Sequence, residues 1–111
     1  MSNVQAPIVF VVQNPEGKEI SLAKKFGNFR VILTGRETTD EAVAKLRNAL
    51  SHFNEHDYLL PIGKSLNMGL AIHLAAQSLI KQSCTSYITL NLLIWRSHEY
   101  DYSVETVTLD T

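Results

Sequence analysis

Apolar and polar residues follow one another along this chain with two different periods, and the changes of period mark its elements. Ile8-Val9-Phe10-Val11-Val12 is an unbroken β-branched and aromatic run that stops at Asn14-Pro15-Glu16-Gly17. Proline presets one turn angle there and glycine tolerates a positive φ, so the run predicts a strand followed by a reversal or bend. Phe29-Arg30-Val31-Ile32-Leu33 predicts a second strand, opened by Gly27-Asn28 and closed by Gly35. The apolar continuity from Val31 to Leu33 fits a strand covered on both faces, as in a parallel sheet.

From Thr38 the period becomes helical. Thr38-Thr39-Asp40-Glu41 has capping-box spacing, in which the threonine hydroxyl meets the glutamate amide and the carboxylate reaches back. Val43, Leu46, Leu50 and Phe53 then recur at intervals of three and four as one buried stripe, while Lys45, Arg47 and Asn48 face water and Asn54 ends the helix. Tyr58-Leu59-Leu60-Pro61-Ile62 is a short strand with its proline near the end. Gly63 turns the chain and Ser65 is the expected cap of a helix from Leu66 to about Gln82 that is apolar nearly all round. His73, Gln77 and Lys81 give it a narrow wet edge, and Gly69, Ala75 and Ala76 allow close approach to a sheet or a partner. Tyr87 to Trp95 alternates, with Ile88, Leu90, Leu92 and Ile94 on one face. Arg96-Ser97-His98-Glu99 reads as a hairpin connection into Tyr100 to Leu109.

The order is β, turn, β-α-β-α-β-β. Strands separated by helices of this length imply right-handed crossovers and a parallel sheet. The expected fold is a single α/β domain over residues 1–111, with a mostly parallel three-strand core (β-α-β-α-β) and an antiparallel C-terminal strand. The N-terminal strand is left open, at either sheet edge or across a dimer. No repeat, linker or low-complexity stretch marks a second domain.

Composition narrows the classes of function. With 111 residues, 45% hydrophobic and 19% charged, the chain has the balance of an ordinary globular domain. Its net charge of -1 excludes a strongly basic nucleic-acid binder and a polyacidic tail. Arg30, Arg36, Arg47 and Arg96 form no cluster in sequence, so nucleic acid is not an expected partner. A single cysteine, Cys84, excludes a disulfide framework within the chain and a four-cysteine zinc site, and favours a reducing compartment. Met1 to Pro7 lacks a basic cluster, and Ile8 to Val12 is too short for the apolar part of a signal peptide. Leu66 to Ile80 is interrupted by Asn67, His73, Gln77 and Ser78, so no membrane span is expected, and the setting is read as cytoplasmic.

Three stretches carry candidate chemistry. His52-Phe53-Asn54-Glu55-His56 has the H-x-x-E-H spelling of the inverted zinc peptidases, which it resembles, and that chemistry needs both histidines on one helical face. Here the stretch falls where a helix is ending, so the plainer reading is histidines at the negative end of a helix dipole, with no metal expected. Gly63-Lys64-Ser65 is similar to the tail of a Walker A loop, but Tyr58 stands where the full pattern requires glycine. A strand, a glycine and a helix start still leave free amides, to which Lys64, Ser65 and Asn67 add donors for an anion. Ser65 lacks a nucleophile elbow, because Asn67 replaces its second glycine, and Cys84 has no histidine beside it in sequence. Trp95, Arg96, Tyr100 and Tyr102 stand around the terminal hairpin, and aromatics with arginine are enriched where proteins grip one another.

From Phe26 to Tyr102 the chain resembles small α/β proteins of phages and mobile elements. The resemblance is carried by Phe26-Gly27-Asn28-Phe29-Arg30-Val31-Ile32-Leu33, by Asp57-Tyr58-Leu59-Leu60-Pro61-Ile62-Gly63, and by Leu92-Leu93-Ile94-Trp95-Arg96 with Tyr100. Those proteins often place an acid after the strand-end glycine and after the tryptophan, where this chain has Lys64 and Arg96. The resemblance implies a phage-like accessory protein in a bacterial cytoplasm and hands over neither an activity nor a cofactor.

The residues favour a non-enzymatic protein-interaction module, expected as a homodimer that acts by binding another protein, host or self, with Trp95, Arg96, Tyr100 and Tyr102 as its contact surface. The alternative is a small phosphate- or nucleotide-binding protein, in one form an enzyme, using Gly63, Lys64, Ser65 and Asn67.

Overall fold

In the computed structural model, which describes residues 6–111, Val9, Phe10, Val11 and Val12 expose at most 2% of their surface. A strand buried on both faces needs neighbours on both sides and cover above and below. β1 (Ile8–Gln13) accordingly lies inside the sheet, between β2 (Asn28–Leu33) and β3 (Tyr58–Leu60). The order is β2-β1-β3-β4-β5, with β4 at Tyr87–Arg96 and β5 at Asp101–Asp110. β1 pairs parallel with β2 and β3, β3 pairs parallel with β4, and β5 closes the sheet antiparallel. A single α/β domain with a mixed sheet therefore forms, but the N-terminal strand is at neither edge. Its apolar residues leave no side that could face water. The sequence left it unplaced because pairing is decided by distant residues rather than by the run itself.

The period of two along β1 sorts its side chains onto two faces. Phe10 and Val12 point to the face covered by α1 (Thr39–Leu50) and α2 (Ser65–Gln82), where they join Leu33, Leu46, Leu50, Phe53, Leu59 and Leu90. Val9 and Val11 point to the other face, with Leu60, Leu93, Tyr102 and Ala23. Ala23 belongs to a 3-10 helix, Ser21–Phe26, which was not foreseen. Its sequence signal is a period of three: Ile20, Ala23 and Phe26 turn inward while Lys24 and Lys25 stay exposed. Those two turns of chain are the only helical cover on this face among the described residues.

α1 begins with both halves of the Thr38–Glu41 capping box in place. It ends at Leu50 rather than Asn54, and its buried positions are Ala42, Leu46 and Leu50, with Val43 half-buried. Phe53 is fully buried, but from the turn beyond the helix, where it packs against Phe10 at 5.5 Å between ring centroids. The early stop is held from outside. Ser78 of α2 donates to the Ser51 and Phe53 carbonyls at 3.1 and 3.0 Å, and Gln82 donates to Phe53 at 2.6 Å. These bonds satisfy carbonyls that a longer helix would have used itself. Buried Asp57 then ties the turn to the sheet by accepting from Ile8 N at 3.0 Å and Asn54 N at 3.1 Å.

α2 puts Asn67, Ala71, Leu74, Ala75, Ser78 and Leu79 into the interior and leaves His73, Gln77 and Lys81 exposed. Ser65 is not its cap: the helix starts at Ser65 itself, with Lys64 at the cap position and no side-chain bond from it. No helix among the described residues is long and apolar enough to cross a membrane. The stretch Met1 to Pro7, read for a targeting signal, lies outside the described residues for positions 1–5.

Asp57 generates a direct test. Asp57→Ala leaves two backbone donors unpaired and is expected to cost about 2 kcal/mol in denaturant unfolding, whereas Asp57→Asn, which keeps one acceptor, costs less. Equal stability of the alanine variant and wild type would mean that the tie between turn and sheet carries no weight.

Candidate functional site

In open α/β sheets ligands favour the carboxyl ends of the strands, at the point where the chain leaves in opposite directions. Here that point flanks β1, because the chain passes from β1 to β2 on one side and returns to β3 on the other. The Gly63, Lys64, Ser65 and Asn67 group does stand at this end, after β3. The place is filled by the protein's own atoms. Gln13, the last residue of β1, accepts from Lys64 N at 3.2 Å and from Asn67 Nδ2 at 3.0 Å through the same Oε1. Gly63 has a φ of 118°, and a Cβ there would come within 2.6 Å of the Gln13 side chain, so only glycine lets the two chains meet. Asn67 is buried and Lys64 and Ser65 are exposed.

The loop after β2 is closed in the same way. Glu37 accepts from Thr34 N, Gly35 N and Lys45 Nζ, each at 2.9 Å, and from Thr34 Oγ1 at 3.1 Å. Its carboxylate occupies the amides where an anion would be expected. The Thr34 amide, then Lys45, holds it well below the usual carboxylate range. The one local signal for this role is an acid two residues after a strand-end glycine.

His52, Glu55 and His56 are all exposed on the turns after α1. Because the helix stops at Leu50, they share no helical face; His56 Nε2 lies 3.6 Å from Glu55 Oε1. Among the described residues no three His, Cys, Asp or Glu side chains gather as a metal site. Glu55 and His56 instead border a shallow cleft of about 460 Å³ at the amino end of the sheet, with Gln82, Cys84 and Tyr87 on its other wall.

The terminal hairpin is where the foreseen residues come together. Trp95 and Tyr102 are cross-strand partners whose rings meet edge to face at 5.1 Å, and Tyr100 also meets Trp95 edge to face, at 5.4 Å. Tyr100 is 77% exposed and Trp95 40%, whereas Tyr102 is 7% exposed and lies beneath them, in the cluster under the 3-10 helix. Tyr102 therefore lies beneath this surface and is not exposed on it. Burial, reinforced by the charge of Glu19, pushes its phenol above the ordinary value. Arg96 donates to Ser103 Oγ at 2.9 Å and pairs with Glu105, so its guanidinium is held along β5. Lys25 binds Asp101 at 2.5 Å and, with the Tyr102 amide, lowers that carboxyl's pKa. An open groove of about 580 Å³ runs past Trp95, Arg96, His98, Glu99 and Val104.

The fold and these surfaces define a small α/β protein whose accessible aromatic chemistry is concentrated at one hairpin. Over residues 7–109 the chain matches the model of the family described as Phage Pam3 gp32-like protein, and it belongs to that family. No curated protein and no solved structure matches it.

The Glu37 cluster predicts an acid-sensitive loop. A carboxyl whose folded pKa is depressed contributes stability that is full above its unfolded value of 4.5 and is lost as pH falls through the lower folded value. Wild type is expected to lose stability steadily below about pH 4.5, and Glu37→Gln to flatten part of that slope while lowering stability at neutral pH. Identical acid profiles for the two proteins would contradict it.

Proposed function

We propose that this phage-family protein is a non-enzymatic interaction module that acts in the bacterial cytoplasm by contact with another protein, through the tip of its terminal hairpin. Trp95 and Tyr100 are the anchors, Arg96 is a polar contact on the rim, and Tyr102 is the support beneath. The observation that carries this reading is the backbone of Tyr100. It has a φ of 54° in a hairpin loop, where glycine or asparagine is at ease and an aromatic residue costs about 1 kcal/mol. The chain keeps a strained, exposed ring at a position where a smaller residue would fold more easily, which is the mark of a side chain retained for what it touches.

Two further features support the reading. The ring stands on Trp95, so a partner meets an aromatic pair already ordered by T-shaped contacts and does not have to immobilise it. The alternative site after β3 has its amide and its buried asparagine engaged by Gln13, so an anion there competes with an internal hydrogen bond.

Tyr100→Gly separates function from folding. It removes the ring and relieves the backbone, so the variant is expected to melt no lower than wild type while losing the partner that wild-type protein retains from an infected-cell lysate. Trp95→Ala is expected to weaken that complex by about 2 kcal/mol or more. Leu66→Ala, at an exposed apolar residue on α2, leaves it intact. Retention of the same partner by both hairpin variants would sink the reading. A thermal shift with nucleotide or inorganic phosphate that disappears in Lys64→Ala would move the function to the β3–α2 turn.

A further inference from the structure

The outer edge of β5 is a second surface, distinct from the hairpin tip, and its free backbone groups can be assigned. β5 runs in unbroken register with β4, from Tyr87↔Asp110 to Arg96↔Asp101. In an antiparallel pair, residues that exchange hydrogen bonds with the neighbour alternate with residues that do not. Thr111 continues the register opposite Ser86, and its N–H donates to the Ser86 carbonyl at 2.9 Å. The odd-numbered residues of β5 therefore bond inward to β4, and the even-numbered ones direct their N–H and C=O groups out of the sheet. Tyr102 agrees independently: its outward N–H is taken by the Asp101 carboxylate at 2.7 Å. Val104, Thr106, Thr108 and Asp110 remain as an outward row of donors and acceptors, all at exposed residues.

Natural sheets blunt such edges with proline, lysine, a bulge or a covering element. β5 contains no proline or lysine, its pairing has no bulge, and no strand of the described residues lies outside it. Its open stretch is rich in threonine and valine, residues at home in strands. An edge of this kind takes up an extended strand by backbone pairing, and its side chains decide which one.

Here they select a second copy of the same strand. We propose that two copies join through Val104–Asp110 of β5, antiparallel about a two-fold axis at Val107, so that one sheet continues across the dimer. In that register Val104 stands opposite Asp110 of the second copy, Glu105 opposite Leu109, Thr106 opposite Thr108, and Val107 opposite itself. Every outward backbone group from Val104 to Asp110 meets an outward group. No carboxylate stands directly or diagonally opposite another, and like charges so placed would be destabilising. Sliding one strand by two residues toward the hairpins enlists Tyr102, whose N–H is already used. Sliding it by four sets Glu105 against Glu105. The contact is small beside the roughly 1,200 Å² of a stable interface, so the dimer is reversible and concentration-dependent. The hairpin tips lie away from the axis and stay open to the partner proposed above.

Two variants test the register and the edge separately. Thr108→Pro removes an outward N–H and none of the bonds to β4, so it is expected to leave the melting behaviour of the monomer unchanged and to raise the dimer dissociation constant at least about tenfold. In a Cys84→Ser background, which removes the one native thiol, Val107→Cys places two sulfur atoms across the axis. Facing residues of such a non-hydrogen-bonded pair have Cα atoms about 4.5 Å apart, within disulfide range. Mild oxidation should cross-link Val107→Cys at least about tenfold faster than Leu109→Cys, whose copies lie far apart. Light scattering across a hundredfold dilution reads the wild-type equilibrium. A wild-type monomer at every concentration, a Thr108→Pro dimer as tight as wild type, equal cross-linking of the two cysteine variants, or an open-ended ladder of larger species would each overturn the proposal. If Thr108→Pro fails to fold, the cysteine pair still decides it.

Discussion

The burial of Val9 to Val12 on both faces is the constraint from which the rest of the molecule follows. A strand with no exposed side must be flanked by strands and roofed twice, and a chain of 111 residues has little with which to do it. The two α-helices are spent on one face. On the other, the cover is the 3-10 helix Ser21–Phe26, whose Ala23 joins Val9, Val11, Leu60, Leu93 and Tyr102 in one buried cluster. Past that point the cover ends, and Tyr87, Trp95 and Val104, on the same face of β4 and β5, are left exposed. An uncovered hairpin is the geometric remainder of enclosing the first strand.

The carboxyl end of the sheet shows the opposite economy. Parallel sheets leave free amides where strands turn into helices, and many proteins use them to hold a ligand. In this chain Gln13 and Glu37 occupy the two turns that flank β1, each through side-chain oxygens that accept from backbone N–H groups. The oxygens a ligand would bring are already supplied from within, and they rigidify the ends of β1 and β2 at the same time. Polar groups so satisfied stabilise a fold.

The local part of this structure was legible in the sequence and the long-range part was not. The capping box at Thr38 and Glu41, the alternation of Ile88, Leu90, Leu92 and Ile94, and the wet edge of His73, Gln77 and Lys81 all depend on residues a few positions apart, and all appear where their spacing puts them. The place of the first strand was not legible, because β1 pairs with residues about 20 and about 50 positions away. The end of α1 comes before Asn54 because the carbonyls just beyond it, of Ser51 and Phe53, are satisfied by Ser78 and Gln82 from another helix. Lys64 and Asn67 looked like free donors for the same reason: Gln13, which engages them, lies 51 and 54 positions earlier. At the hairpin the aromatic residues were foreseen as a group, but a strand pattern cannot tell that Tyr102 turns under the 3-10 helix while Tyr100 stands out on a left-handed turn.

The proposed function puts the protein's contact at its uncovered hairpin and not at the Gln13-occupied end of its sheet. The most direct measurement is photo-crosslinking in the infected bacterium, with a photoreactive aromatic residue placed at position 100 in one protein and at position 64 in another. A discrete protein adduct from position 100 and none from position 64 is the result the account predicts. An adduct formed at position 64, with position 100 silent, would contradict it.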